Sequence, residues 1–147
     1  MRGLLAASIA ATLSLSGAAI AGETPSAPDT QVYFGHLTDG ASVASPVKVV
    51  FGLSGMGVAP AGTEKENTGH HHVFINRAPL GEGEEGAEEL DHSIPADENH
   101  IHFGGGQTET MLKLPPGEHT LQLVLGDMNP IPHNPPIASE VITITVE

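Results

Sequence analysis

The sequence predicts an all-β fold, an immunoglobulin-like antiparallel β-sandwich of about seven short strands, and two observations favour it. Apolar residues alternate with other residues in several short segments, which is the pattern of a strand with one buried face. The 147-residue chain also has 18 glycines and 12 prolines, which separate these segments, and it has no amphipathic helical repeat. A small β-barrel is the alternative arrangement.

Three segments show the clearest alternation and are predicted as strands: 47–53, 121–125 and 142–146. Four shorter segments are weaker strand predictions: 31–36, 71–76, 101–103 and 110–114. The turn sequence Pro115-Pro116-Gly117 predicts a hairpin between the last of these and residues 118–125. The glutamate-rich segment 83–90 predicts a solvated acidic loop, which lacks the spacing of a calcium-binding loop.

Residues 1–21 predict a secretory signal peptide. Arg2 precedes an apolar run from Leu4 to Ile20 that is followed by the small residue Ala21, and these are the parts of such a signal. Cleavage after Ala21 would leave 147 − 21 = 126 residues, comprising a flexible lead-in at 22–30 and a single domain at 31–147. Since no later segment is long and apolar enough to span a bilayer, we expect a periplasmic or secreted protein.

The composition excludes several classes of function. Eighteen acidic residues stand against five basic ones, with a formal net charge of −13, so a nucleic acid or an anionic membrane surface is not an expected partner. The chain has no cysteine, which excludes cysteine catalysis, zinc-thiolate sites, iron–sulfur clusters and disulfides. No motif for a catalytic nucleophile is present, and we assign no catalytic residue.

The nine histidines are clustered, and they carry the predicted chemistry. In a strand that begins with His70-His71-His72, the first and third side chains leave on one face and His71 shares the core face with the apolar residues that follow. His100 and His102 likewise share a face opposite Ile101 and Phe103. Two such pairs on adjacent strands would offer up to four nitrogens to one metal ion.

The absence of cysteine and the presence of methionine in loops favour copper as the metal, with zinc as the alternative. His133 lies in a loop stiffened by prolines that could hold a ligand in place. The candidate metal ligands are His70, His72, His100, His102, His133, Met56 and Met128, together with His71, which is more readily explained as a core residue. The isolated histidines His36, His92 and His119 are interpreted as polar spacers.

Three blocks in the sequence, at 67–72, 96–109 and 114–123, resemble a family of exported bacterial domains catalogued as domain of unknown function 4399. The resemblance covers roughly residues 46–146. It implies an exported domain whose shared positions include the triple histidine, the His-x-His pair and the Pro-His-x-Pro-Pro loop, here His70–His72, His100, His102 and His133. This chain carries Met128 and Pro130 where histidine is commoner in the family, which would convert one nitrogen ligand into a thioether.

Three functional hypotheses follow. The first is a periplasmic protein that buffers, delivers or sequesters a transition metal, with the metal ion and another periplasmic metal-handling protein as its partners. The second is a non-enzymatic binding or scaffold module of the cell envelope, whose histidines are structural or respond to pH. The third is a metal-dependent enzyme, because three histidines with one open position also form the layout of a catalytic centre.

Overall fold

The computed structural model describes residues 22–84 and 86–147 of the chain, and the predicted signal peptide lies outside these residues. The prediction of an all-β sandwich is confirmed, since the described residues form nine strands and one short helix. In chain order these are β1 (Gln31–Phe34), β2 (Ser42–Val43), β3 (Val47–Ser54), β4 (Gly57–Val58), β5 (Thr68–Ile75), α1 (Gly86–Glu89), β6 (His100–His102), β7 (Glu109–Leu112), β8 (Gly117–Gly126) and β9 (Ile142–Val146).

The strands form two separate sheets. The smaller sheet has the order β1-β3-β7, and both of its pairings are antiparallel. The larger sheet has the order β2-β9-β8-β5-β4, and β6 also pairs with β5. The two-residue strands β2 and β4 pair in parallel with β9 and β5, whereas the other pairings of this sheet are antiparallel.

The hydrophobic core lies between the two sheets and follows from the period-two alternation. Strand β3 contributes Val47, Val49 and Phe51 from the smaller sheet, and these pack in one cluster with alternate residues of β5, β8 and β9. The fully buried members from the larger sheet are Val73, Leu121, Leu123, Leu125 and Ile144. Because successive side chains of a strand alternate between its faces, the residues between these positions lie on the outer face of the larger sheet.

The predicted hairpin between β7 and β8 is wrong. Strand β7 pairs with β3 in the smaller sheet, whereas β8 pairs with β5 and β9 in the larger one. Pro115 and Pro116 have no amide hydrogen with which to continue a ladder, so this segment carries the chain from one sheet to the other. Gly117 then begins β8 with a φ of 130°, a conformation that favours glycine.

The segment at 83–90 also differs from the predicted solvated acidic loop. It contains the helical turn α1, and the Glu89 carboxylate is mostly buried, with both of its oxygens paired to the Arg77 guanidinium. Arg77 in turn lies over the Phe74 ring, 4.6 Å from its centroid. The charge of Arg77 therefore draws one glutamate out of solvent, which local composition did not indicate.

Two long connections cover the outer face of the larger sheet. The connection at 76–99 packs Ile94 and Leu80 against Phe74 and Val124, forming a second small apolar cluster. The connection at 127–141 returns along β8, where Leu125 N–H donates to the Ile137 carbonyl. A hydrogen bond from the Ile94 amide to the Pro130 carbonyl joins the two connections. Side chains of β5 that point away from the core are thus buried under these loops.

The segment at 22–30, for which composition predicts a flexible lead-in, lies against the connection at 127–141. The amide of Asn134 donates to the Thr24 carbonyl at 2.9 Å, and the Ser26 amide donates to the Asn134 carbonyl at 3.2 Å. No helix within the described part of the chain is long and apolar enough to cross a membrane.

Candidate metal centre

Three histidines converge on the outer face of the larger sheet, and we call them the three-histidine centre: His70, His72 and His102. Alternation along β5 places the first two on the same face, and the register of β5 with β6 places His102 directly across from His72. The Nε2 atom of His70 lies 3.0 Å from Nε2 of His72 and 2.9 Å from Nε2 of His102. The rings of His72 and His102 stack with centroids 4.9 Å apart.

This arrangement is a poor hydrogen-bond network. A neutral imidazole nitrogen has one hydrogen or one lone pair, so Nε2 of His70 can form one well-aligned hydrogen bond although it contacts two other nitrogens. A metal ion, in contrast, accepts lone pairs from all three nitrogens at once. Nitrogen ligands at roughly 2.0–2.1 Å from a tetrahedral ion lie about 3.3 Å apart, so small movements of the rings would accommodate one.

The described part of the chain does not satisfy the other ring nitrogens of the two buried histidines. The Nδ1 atoms of His70 and His72 are buried and have no hydrogen-bond partner among the described residues. Buried polar atoms are almost always paired in proteins, and exceptions mark a functional group or a site where an ion or water binds. The three-histidine centre therefore lowers the stability of the fold relative to an apolar cluster at the same position.

His70 and His72 are held in their neutral, ligating form. Burial, followed by the charges of His102 and His133, lowers the pKa of His70 from 6.5 to about 4, while the Asp127 carboxylate opposes this shift. Burial, followed by the charges of His70 and His102, lowers the pKa of His72 to about 2. Protons therefore do not compete with a metal for His70 and His72 at pH 7.

Two glycines border the ligating nitrogens. A Cβ atom on Gly126 would lie 2.7 Å from Nε2 of His72, and one on Gly104 would lie 2.8 Å from Nε2 of His102. Both distances are shorter than real contacts of a Cβ atom, so the absence of side chains here keeps space open beside the nitrogens. The centre opens to solvent on the side of His102, whose side chain is exposed while His70 and His72 are fully buried.

A model of the family described as domain of unknown function DUF4399 matches residues 49–147. The chain belongs to this family. The match contains all three histidines of the centre, and it confirms the resemblance that the three sequence blocks predict. No curated protein and no solved structure matches the chain. The function of this DUF4399 protein must therefore be argued from its site.

His71, a further predicted candidate, lies on the opposite face of β5, inside the core. Its ring centroid is 5.1 Å from that of Phe51, on the facing sheet. Both of its nitrogens are buried and have no hydrogen-bond partner in the part of the chain that the structure describes. Burial, and then the charge of His70, lowers its pKa from 6.5 to about 4. The structure places this residue away from the three-histidine centre, as the period-two pattern predicts.

His100 shares the outer face with His102 but has other partners. Its Nε2 atom accepts a hydrogen bond from Arg77 at 2.8 Å, so Nδ1 carries the hydrogen and donates to Asp97 at 2.7 Å. This hydrogen bond lowers the pKa of the Asp97 carboxyl group. The edge of the imidazole also packs on the Phe74 ring. Both nitrogens of His100 are thus engaged outside the centre.

His133 is buried close to the centre without joining it. Its Nε2 and Nδ1 atoms lie 3.2 Å and 3.4 Å from the carbonyl oxygens of Thr68 and Leu125. The ring packs against Gly69, where a Cβ atom would lie 2.9 Å from it. The predicted ligand His133 therefore holds the connection at 127–141 onto β5 and β8.

The two predicted methionine ligands lie in different surroundings. Met56 packs against the hydrophobic core. Met128 is 36% exposed and lines a cavity together with Asp127 and Thr68. Among the histidines interpreted as spacers, His36 is exposed, whereas His119 is 7% exposed and bonds to Asn76 and Pro115 through its two nitrogens.

Sequence reasoning missed several residues that shape the site. The space that Gly104 and Gly126 leave beside the histidines could not be predicted, because a close approach of two segments leaves no mark in local sequence. Asp127 is 4% exposed and accepts hydrogen bonds from the amides of Asn129 and Ile131. Its position directly after a strand and before Met-Asn-Pro is typical of an aspartate turn, and this signal could have identified it.

Proposed function

We propose that this protein binds one transition-metal ion through His70, His72 and His102 and serves to buffer, deliver or sequester that metal. The observation that carries the proposal is the convergence of three Nε2 atoms, two of them on fully buried rings, at distances of 2.9 Å and 3.0 Å. Three imidazoles packed this closely, two of them held neutral by burial, form a ligand set that is ready for a metal.

Copper is the favoured metal and zinc the alternative. The centre consists of nitrogen donors alone, and imidazole suits copper, zinc, iron and nickel. Met128 lines a cavity together with Thr68, which lies two residues before His70 in β5, and a soft sulfur donor near nitrogen ligands favours copper over zinc. Exposure of His102 gives the ion a route between the centre and solvent or a partner, which suits buffering and delivery.

The proposed setting is the periplasm or the medium outside the cell, as the predicted signal peptide indicates. The strongly acidic chain would raise the local concentration of cations around the centre. The proposed partners are the metal ion and another periplasmic metal-handling protein that receives or supplies it.

The proposal is tested with protein that is exported and purified without a histidine tag, since a tag would bind metal itself. Elemental analysis and competition titrations with copper(I), copper(II) and zinc should give about one equivalent per chain. The variant His70→Ala/His102→Ala should lose this binding, whereas the exposed control His36→Ala should retain it. Unchanged stoichiometry in the double variant would refute the site.

A second control separates the two His-x-His members. His100→Ala should keep the stoichiometry, because the His100 ring bonds to Arg77 and Asp97 and not to the centre. If His100→Ala loses the metal while His102→Ala retains it, the ligand set proposed here is incorrect.

A further inference from the structure

A buried carboxylate lies beside the three-histidine centre. Asp127 follows Gly126, which is the cross-strand partner of His70, and its side chain is almost wholly removed from solvent. One carboxylate oxygen accepts from the Thr24 hydroxyl at 2.6 Å, and the other accepts from the amides of Asn129 and Ile131 at 2.8 Å and 3.0 Å. The turn therefore fixes the position of the carboxylate without neutralising it.

Among the residues that the structure describes, the charge of Asp127 has no basic partner. Within the described ranges, no lysine or arginine nitrogen lies within salt-bridge distance of this carboxylate, although Lys48 and Arg77 form ion pairs with other carboxylates. Lys65 lines the same cavity of about 460 Å³, but its side chain is exposed and it stands between Glu64 and Glu66. A buried charge without a counterion lowers the stability of the fold. A cation bound nearby would offset this cost at Asp127.

We infer that Asp127 is the counter-charge of the ion bound at the three-histidine centre and acts as a positioning residue rather than a ligand. The inference rests on the proposed function. Three neutral imidazoles bring no negative charge to balance a metal ion, and Asp127 is the buried anion next to them. Gly126, the residue before Asp127, pairs with His70, and a Cβ atom on Gly126 would lie 2.7 Å from Nε2 of His72, so the backbone places Asp127 next to the centre.

The inference has a signature that a purely structural role would lack. The Coulomb energy between the carboxylate and the ion is proportional to the charge of the ion. Loss of Asp127 should therefore weaken the binding of a divalent ion by the square of the factor by which it weakens the binding of a monovalent one. Replacing a partner outside the ligand set commonly costs 10- to 100-fold in metal affinity, so we expect about 10-fold for Ag⁺ and about 100-fold for Zn²⁺.

The test uses Asp127→Asn in the full mature chain, with Ag⁺ and Zn²⁺ as probes in competition titrations. The asparagine oxygen can still accept from the two amides, and its NH₂ group can donate to the Thr24 hydroxyl, so the turn persists without its charge. Thr24→Val is the matched control, since it removes one hydrogen bond and keeps the carboxylate. The control should change the affinities for the two ions by the same small factor.

Each outcome is decisive. A larger loss for Zn²⁺ than for Ag⁺ in Asp127→Asn supports the counter-charge, and equal losses or none refute it while leaving the three-histidine site intact. Wild-type protein that binds neither ion refutes the proposed function and this inference together. If Asp127→Asn does not fold, Asp127→Ser removes the charge and offers a hydroxyl acceptor to the same amides, and the same comparison of the two ions applies.

Discussion

Replacing His71 with leucine should stabilise the metal-free protein, and more strongly in acid than at neutral pH. His71 is fully buried against Phe51 in the core, on the face of β5 opposite the three-histidine centre. Neither of its nitrogens has a hydrogen-bond partner among the described residues. Leucine has a similar volume and no polar atom, so the exchange removes a cost without opening a large cavity.

At pH 7.5 the gain comes from the two unpaired nitrogens. A buried polar group left without a partner costs about 1–3 kcal/mol, and replacing it by an apolar group of similar shape recovers part of this. We therefore expect His71→Leu to raise the free energy of unfolding by about 1 kcal/mol at pH 7.5.

At lower pH, proton binding adds to the difference. The pKa of His71 falls from 6.5 to about 4 on folding, so between these values the unfolded chain binds more protons than the folded one. Wild-type stability is therefore lost as the pH falls below 6.5, and the loss from His71 ends near pH 4. At pH 5 the loss of stability from His71 amounts to about 2 kcal/mol. The variant His71→Leu should not show this loss.

The assay is urea unfolding of both proteins at pH 7.5 and pH 5.0, with a chelator present. The stability difference should be larger at pH 5.0 than at pH 7.5, and the exposed control His36→Leu should differ from wild type by no more than about 0.5 kcal/mol at either pH. A difference that does not grow in acid would show that His71 is not held neutral by burial. Loss of metal binding in His71→Leu would show that the core assignment is wrong.

Two further predictions concern the surroundings of the centre. Gly126→Ala should weaken metal binding by about tenfold or more in a competition titration, because the new Cβ atom would lie 2.7 Å from Nε2 of His72. The control Gly57→Ala, whose Cβ atom would meet nothing closer than 3.8 Å, should bind metal as the wild type does. Equal affinities of the two variants would contradict the proposed geometry. Arg77→Met should lower the free energy of unfolding by about 1–3 kcal/mol in urea, because it leaves the mostly buried Glu89 carboxylate unpaired, yet it should leave metal stoichiometry unchanged.

The strands could be predicted from sequence because a strand with one buried face has apolar residues at every second position. Residues 47–53 and 142–146 show this period, and the strands β3 and β9 lie there. Which strands pair depends on contacts distant in sequence, and the chain near Pro115 illustrates this. A turn sequence alone could not show that β7 and β8 belong to different sheets.

The composition of the site was partly predictable for the same reason. Alternation predicts that His70 and His72 share a face and that His71 faces the core, and the structure places them so. Alternation could not distinguish His102 from His100, since both lie on the outer face. The choice follows from the register of β6 with β5 and from Arg77 and Asp97, which engage the ring of His100.

A comparison of neighbouring positions on the outer face of β5 supports a binding role for the three-histidine centre. One position beyond His72 on this face, Phe74 packs with Val124 and Ile94 in an ordinary apolar cluster under the same covering loops. The loops can therefore bury apolar side chains here. Such side chains would stabilise the fold more than imidazoles with unpaired nitrogens do. Places where a sequence departs from what its fold favours tend to be functional. A bound ion would return the lost stability, by about 4 kcal/mol at a metal concentration 1,000 times the dissociation constant, because it would accept the lone pairs of the three nitrogens.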